Sequence, residues 1–234
     1  MKVGDTITAS QNFRKLMNIK IYNELQRIKR DCPGLMSNEQ ALLEMINVRF
    51  DVSVTKPTVD EIDNAVNEKY FTKVWHPKNK KYKYSGLAIV DEINNMLPRS
   101  VLDVGCGYNE FKGKINNLYG IDLYNSKADE QIGIMEYVPQ GTHDVLICFG
   151  SINFGNIEKV FSELQKCVDV TEPGGLLFFR VNPGIQHDPV EAKWIEFFEW
   201  TPEFIFNSAQ EVGCSVVNMR NDANRVYFVL RKDK

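Results

Sequence analysis

The sequence predicts an α/β protein, a doubly wound, seven-stranded, mostly parallel sheet behind a helical N-terminal extension. Three observations carry that expectation. Beyond Pro98, short apolar runs at 101–104, 118–123, 128–134, 145–149, 176–181, 215–219 and 226–230 alternate with polar or helical segments. Helical spacing of apolar residues fills 156–168 and 202–212 between them. The last two runs are separated only by 220–225, which reads as a hairpin and makes the closing strand antiparallel.

The first part of the chain, to about residue 68, has a helical period instead. Phe13, Leu16, Met17, Ile21, Leu25 and Ile28 fall on one helix face, and Cys32-Pro33-Gly34 stops that helix. Ser37 followed by Gln40 fits a capping box for a second helix through Leu43, Ile46 and Val48. Thr58 opens a third through Val59, Ile62, Ala65 and Val66. Residues 69–84 hold six lysines and no acid, interleaved with Tyr70, Phe71, Trp75, Tyr82 and Tyr84. Leu87, Val90, Ile93 and Leu97 then form a helix ended by Pro98. The expected division is an extension over 1–83 and an α/β domain over 84–234.

Bulk properties narrow the function classes. The chain has 234 residues, 43% hydrophobic and 25% charged, with a formal charge of −3, so no dominant nucleic-acid or membrane field is implied. No apolar run approaches the ~20 residues of a membrane span, and the polar N-terminus lacks a secretory core. Five scattered cysteines with no Cys-x-x-Cys argue against a disulfide framework and a zinc site. The expectation is a cytoplasmic protein with reduced thiols and no metal.

The strongest chemical signal is Ser100-Val-Leu-Asp-Val-Gly-Cys-Gly-Tyr-Asn109. A strand runs into Gly105 and Gly107, whose missing side chains let the backbone turn tightly and lie against a flat ligand. Asp103 stands at the strand end, placed to orient the turn or meet a cationic ligand group. Asp122, fifteen residues after Gly107, ends the second strand, where an acid accepts both hydroxyls of a ribose.

Together with Gly120-Ile-Asp122-Leu, His143-Asp-Val-Leu-Ile-Cys-Phe-Gly150 and Glu172-Pro-Gly-Gly-Leu-Leu-Phe-Phe179, this stretch resembles class I, Rossmann-like S-adenosylmethionine-dependent methyltransferases over about residues 84–234. The segments GCGYNEFKGK, FGSINFG and RVNPG also resemble small methyltransferases encoded by large tailed phages, which would place the protein in a host cytoplasm. The resemblance implies S-adenosylmethionine as cofactor and S-adenosylhomocysteine as product. It gives Asp103, Gly105, Cys106 and Gly107 the methionine end, Asp122 the ribose, Leu123 and Met135 the adenine, and Phe149 and Gly150 the neighbourhood of the sulfonium.

Three departures from the family pattern stand out. Asn109 replaces the usual third glycine, and asparagine tolerates a left-handed backbone. The stretch from Gly107 to Asp122 leaves room for only a brief helix, which suits a ligand without phosphate better than the pyrophosphate of a dinucleotide. The acid near the adenine amine is absent, its place falling at Ile134 and Met135, while Asp129 comes too early in the strand.

Acceptor chemistry is expected beyond the carboxyl ends of the strands. His187 is the candidate base by residue type, or else a solvated loop histidine. Asn153 and Asn182 either hydrogen-bond the acceptor or make turns. Arg180 either fixes an anionic group of the substrate or pairs with a neighbouring acid. Trp75 and Tyr84 are candidate substrate contacts. The aromatic stretch 194–206 forms either a wall for a flat substrate or core.

The fourth strand lacks the Asp/Asn-Pro-Pro-Tyr sequence of many amino-group methyltransferases, which disfavours adenine-N6, cytosine-N4 and glutamine targets; Cys148 lies inside the strand and no Pro-Cys follows it, so cytosine-C5 chemistry through a cysteine has little support. Lysines with stacking rings at 69–84 suit a nucleotide or single-stranded nucleic acid, or form a solvated loop. The expected function is methyl transfer to an acceptor that is a small molecule or nucleotide-like. The alternatives are a nucleic-acid methyltransferase docking through 69–84, or a non-catalytic binding or assembly protein that keeps the fold.

Overall fold

The structure, a computed structural model, describes residues 18–75 and 87–234. Phe13, Leu16 and Met17 of the first expected helix, and Tyr82 and Tyr84 of the lysine-aromatic stretch, lie outside the described residues. The chain forms two compact units: one of 1–74, 155–159 and 186–196, the other of 75–154, 160–185 and 197–234.

The first unit is helical, with α1 (Ile19–Asp31), α2 (Glu39–Phe50) and α3 (Val59–Lys69). Ile21, Leu25, Ile28, Leu42, Ile46, Phe50, Ile62 and Val66 supply its buried apolar faces. Asn18 caps α1, its Oδ1 accepting from Lys20 N and Ile21 N. Its Nδ2 donates to Asp63 Oδ1 at 2.8 Å and to the Trp194 carbonyl at 2.9 Å, tying segment 186–196 into the unit. The Phe50 and Trp194 rings meet at 4.8 Å. The cap of α2 is Asn38, whose side chain accepts from Ala41 N. Ser37 instead closes the preceding 3-10 turn, donating to the Gly34 carbonyl, so the expected Ser37–Gln40 capping box does not form and the cap lies one residue later. Thr58 caps α3 as its position predicts.

The second unit is a six-stranded sheet among the described residues: β1 (Val101–Val104), β2 (Leu118–Ile121), β3 (His143–Cys148), β4 (Thr171–Val181), β5 (Cys214–Asp222) and β6 (Arg225–Lys232). Their order is β2-β1-β3-β4-β6-β5. β1 pairs parallel with β2 and β3, and β3 with β4; β6 runs antiparallel between β4 and β5. Alternate residues bury on opposite faces, as a strand period of two requires. Leu102, Leu146, Leu177, Phe179 and Phe228 pack with α5 (Ile157–Asp169) and α6 (Pro202–Glu211). Val101, Val145, Ile147, Phe178, Tyr227 and Val229 pack with α4 (Val90–Asn95), Phe111 and Ile115. Asp103 belongs to the second of these faces by alternation.

The seventh strand, expected over 128–134, is reduced to a single bridge between Ile121 and Glu130. The reason is local. The Asp129 carboxylate takes the Gly120 N–H at 2.8 Å, a bond that the carbonyl of a pairing strand would otherwise make, and the ladder stops there. The brief helix after Gly107 is also missing, replaced by turns through 107–117. Asn109, Gly113 and Asn117 each hold a left-handed backbone, with φ of 56°, 75° and 56°, which no helix tolerates.

Candidate functional site

The site is built at the carboxyl ends of β1 to β4 in the second unit. After β1 the chain reverses at Gly105 (φ 67°) and Gly107 (φ 55°). The Gly105 and Cys106 amides both donate to the Ile121 carbonyl, at 2.8 and 3.0 Å, which locks the turn onto β2. The two glycines are required for different reasons. A Cβ on Gly105 would lie 2.1 Å from Ser151 Cβ, so the protein itself forbids a side chain there. Among the described residues a Cβ on Gly107 would meet only the Trp75 ring, at 3.8 Å, ordinary contact distance. Asn109 keeps the turn, as its tolerance of positive φ predicts. Cys106 turns its sulfur toward β2, where it would meet a Cβ on Gly120 at 3.0 Å. Only its backbone faces the turn, and burial raises its thiol pKa far above the usual range.

Two carboxylates flank the turn. Asp103 is 2% exposed, and among the described residues nothing donates a hydrogen bond to it. Burial, with Asp122 nearby, pushes its pKa up to about 8. Asp122 accepts three backbone amides: Gly107 N on Oδ2 at 2.9 Å, and Tyr124 N and Asn125 N on Oδ1 at 2.9 and 2.8 Å. It therefore shapes the turn as well as presenting charge. Beside it the side chains of Leu123 and Met135 are half exposed, at 52% and 47%. Sequence reasoning missed Glu136, whose Oε2 would lie 2.6 Å from a Cβ on Gly133, a position that also borders Leu123. Its only sequence signal is an acid one residue beyond Met135.

The loop after β3 closes the other side. Phe149 packs edge-on against Phe111 and Tyr227. Gly150 follows with φ of 100°. Ser151, also missed from sequence, donates to the Val104 carbonyl at 2.9 Å and so clamps this loop to the end of β1. Asn153 is 4% exposed, and its Oδ1 accepts from Asn182 N at 2.9 Å. Asn182 spends its own amide on a turn, Oδ1 accepting from Ile185 N at 2.7 Å and Nδ2 donating to the Ile185 carbonyl at 2.8 Å.

Other candidates are already engaged by neighbours. Arg180 pairs with Asp222, Nε to Oδ2 at 2.5 Å, the second of the two roles its sequence position allows. Trp200 is core, 1% exposed, donating from Nε1 to the Ile152 carbonyl at 3.1 Å and packing on Phe198, Phe204 and Phe228. His187 belongs to the first unit, where its Nδ1 lies 2.7 Å from the Tyr70 hydroxyl. In the lysine-aromatic stretch, Lys69 pairs with Asp51 and Tyr70 is buried, so both serve the helical unit. Among the described residues no helix is long and apolar enough to cross a membrane.

Comparison with solved structures places this architecture. It is similar to the Burkholderia thailandensis 1,6-didemethyltoxoflavin-N1-methyltransferase, crystallised with 1,6-didemethyltoxoflavin and S-adenosylhomocysteine. That match has a TM-score of 0.57 and 14% identity over 73% of this chain and 89% of the other. The magnesium protoporphyrin IX methyltransferase of Synechocystis PCC 6803, with bound S-adenosylmethionine, gives 0.56 and 11% over 73% and 97%. The N-methyltransferase NodS of Bradyrhizobium japonicum WM9, with S-adenosylhomocysteine, gives 0.54 and 13% over 71% and 96%. The second unit thus has the Rossmann-like methyltransferase fold. No family model and no curated protein matches the chain.

Proposed function

We propose that the second unit binds S-adenosylmethionine and transfers its methyl group to a small or nucleotide-like acceptor. The observation that carries this reading is the buried Asp103 carboxyl, to which no described residue donates, beside a turn where a Cβ on Gly107 would meet the Trp75 ring no closer than 3.8 Å. A buried carboxyl is costly to ionise alone, and a ligand ammonium supplies the missing partner. That the solved neighbours hold S-adenosylmethionine or its product supports the same cofactor.

The residues present fit the group. Asp103 would hold its ammonium, the backbone at Gly105 and Gly107 its amino-acid tail, and Asp122 the ribose hydroxyls. Asp122 Oδ2, which accepts only the Gly107 amide, retains acceptor capacity for a ribose hydroxyl, while Oδ1 already accepts two amides. Leu123 and Met135 would cover the adenine faces, and Glu136 would receive the amine that the absent third-strand acid receives elsewhere. When bound, the cofactor supplies an electrophilic methyl on sulfur. The chain's contribution is to hold that methyl in line with an acceptor lone pair and to exclude water, which is where much of the acceleration arises. Phe149, wedged between Phe111 and Tyr227, forms an apolar wall suited to that exclusion.

Calorimetric titration of the full chain with S-adenosylmethionine and S-adenosylhomocysteine tests the reading. One-to-one binding is expected, greatly weakened in Asp122→Ala. Undetectable binding by the wild-type chain overturns it and leaves the alternative of a fold retained for binding something else.

A further inference from the structure

Resting on the cofactor reading above, the geometry points to Asn153 as a fixed hydrogen-bond donor to the methyl acceptor. The acceptor molecule must then present a lone pair beside the atom that is methylated, on a carbonyl, a carboxylate or a ring nitrogen.

Three observations converge on this one amide. Asn153 is 4% exposed, so its side chain is held in place with only a small part of it reachable from outside. Its orientation is not free. The Asn182 N–H, 2.9 Å from Oδ1, can only donate, so the oxygen must face it and the nitrogen must face the other way. That nitrogen has no hydrogen-bond partner among the described residues. A donor of fixed direction left open at a loop lip is available to whatever binds there.

The open nitrogen lies beside Gly150. A Cβ built on Gly150 would come 3.6 Å from Asn153 Nδ2, and Gly150 directly follows Phe149 at the end of β3. The same loop touches the glycine turn through Ser151 and Gly105. Its neighbours offer nothing to compete for the donor. Ser151 gives its own hydroxyl proton to the Val104 carbonyl, and residues 149–155 carry no ionisable side chain. Asn182, paired with Asn153 as a candidate on sequence grounds, is closed on Ile185 at both ends of its amide and adds no second donor.

The lip is therefore a neutral donor of fixed direction. It favours molecules with an exposed lone pair over those that bring only N–H or O–H groups, because donor then faces donor. The group does not act on the methyl itself; it sets the orientation and choice of the acceptor.

The test uses the full chain, isotope-labelled, with the Asn153 side-chain amide assigned by NMR from its loss in Asn153→Asp. That variant keeps an oxygen for Asn182 N–H and so preserves the clip. S-adenosylhomocysteine is added first. Backbone signals of Gly105, Gly107 and Leu123 should move; if they do not, the cofactor reading fails and this inference falls with it. Matched fragments are then titrated into the saturated protein: benzoate and N,N-dimethylbenzamide, which only accept, against benzylammonium, which only donates.

The expected result is a downfield shift of the Asn153 amide protons with the accepting fragments. In Asn153→Asp their binding should weaken about tenfold, while benzylammonium should gain. Cofactor product bound but no preference for accepting fragments, accepting fragments bound without any movement of the Asn153 signals, or no fragment bound at all, each overturns the proposal while leaving the cofactor reading intact.

Discussion

Asp103→Asn tests the electrostatics of the site in a shape-preserving way. In the free protein the Asp103 carboxyl has a pKa of about 8, against 3.8 for the ordinary group. The native state therefore binds a proton that the unfolded state has given up. The stability this group contributes is complete below about pH 4, is lost as pH rises, and is gone above about 8. Between those limits the loss is ~1.4 kcal/mol per pH unit, which reaches roughly 4 kcal/mol at pH 7. Asparagine keeps the shape, leaves a comparable unpaired neutral group and removes the titration. The variant should thus be more stable than wild type by roughly 3–4 kcal/mol at pH 7, with the gap shrinking to near zero at pH 4.

Urea unfolding of both proteins at unit steps from pH 4 to 8 reads the gap directly. The same substitution should weaken S-adenosylhomocysteine by ~10–100-fold, because a charge-assisted hydrogen bond to the ammonium is lost. Calorimetry of the wild type in two buffers of different ionisation enthalpy should show close to one proton released per ligand at pH 7. Unfolding curves of wild type and variant that stay parallel across the whole range would refute the reasoning.

The two glycines of the turn should separate folding from binding. Gly105→Ala drives a Cβ into Ser151 at 2.1 Å and should cost about 2–4 kcal/mol of stability, read by urea unfolding. Gly107→Ala meets only the Trp75 ring at 3.8 Å, so about 1 kcal/mol of backbone strain is expected, with a much larger loss of cofactor affinity by calorimetry. Trp200→Ala removes a buried ring and the bond to the Ile152 carbonyl, at about 3–5 kcal/mol in the same unfolding assay. Asn182→Ala removes both side-chain bonds to Ile185 while keeping the backbone N–H that Asn153 accepts, and should cost about 1–3 kcal/mol.

Sequence reading succeeded where the physics is local. The run 101–104, the glycines after it and Asn109 at positive φ follow from period, turn chemistry and the short asparagine side chain. The hairpin before the C-terminus was legible because only two residues, Ala223 and Asn224, separate β5 from β6. What escaped depends on contacts between distant residues. Gly105 is demanded by Ser151, a partner 46 positions on that no spacing rule identifies. Asn153 and Asn182 looked alike in sequence; the structure separates them, because one is clipped by the other's backbone while the second is spent on its own turn. The apolar run 128–134 predicted a strand, yet a single side chain, Asp129, bonding across to Gly120 ends the ladder. Arg180 had two readings of equal chemical merit, and only the position of Asp222 on β5 selects the ion pair.

The central claim is that one crevice, bounded by the turn at 105–107, the acid at the end of β1 and the acid at the end of β2, receives a sulfonium nucleoside. The most direct measurement is a crystal structure of the full chain soaked with S-adenosylhomocysteine. The account predicts the product's ammonium on Asp103, its ribose on Asp122 and its sulfur turned toward Gly150. Product density elsewhere in the molecule, or a ribose held without the Asp122 carboxylate, would contradict it.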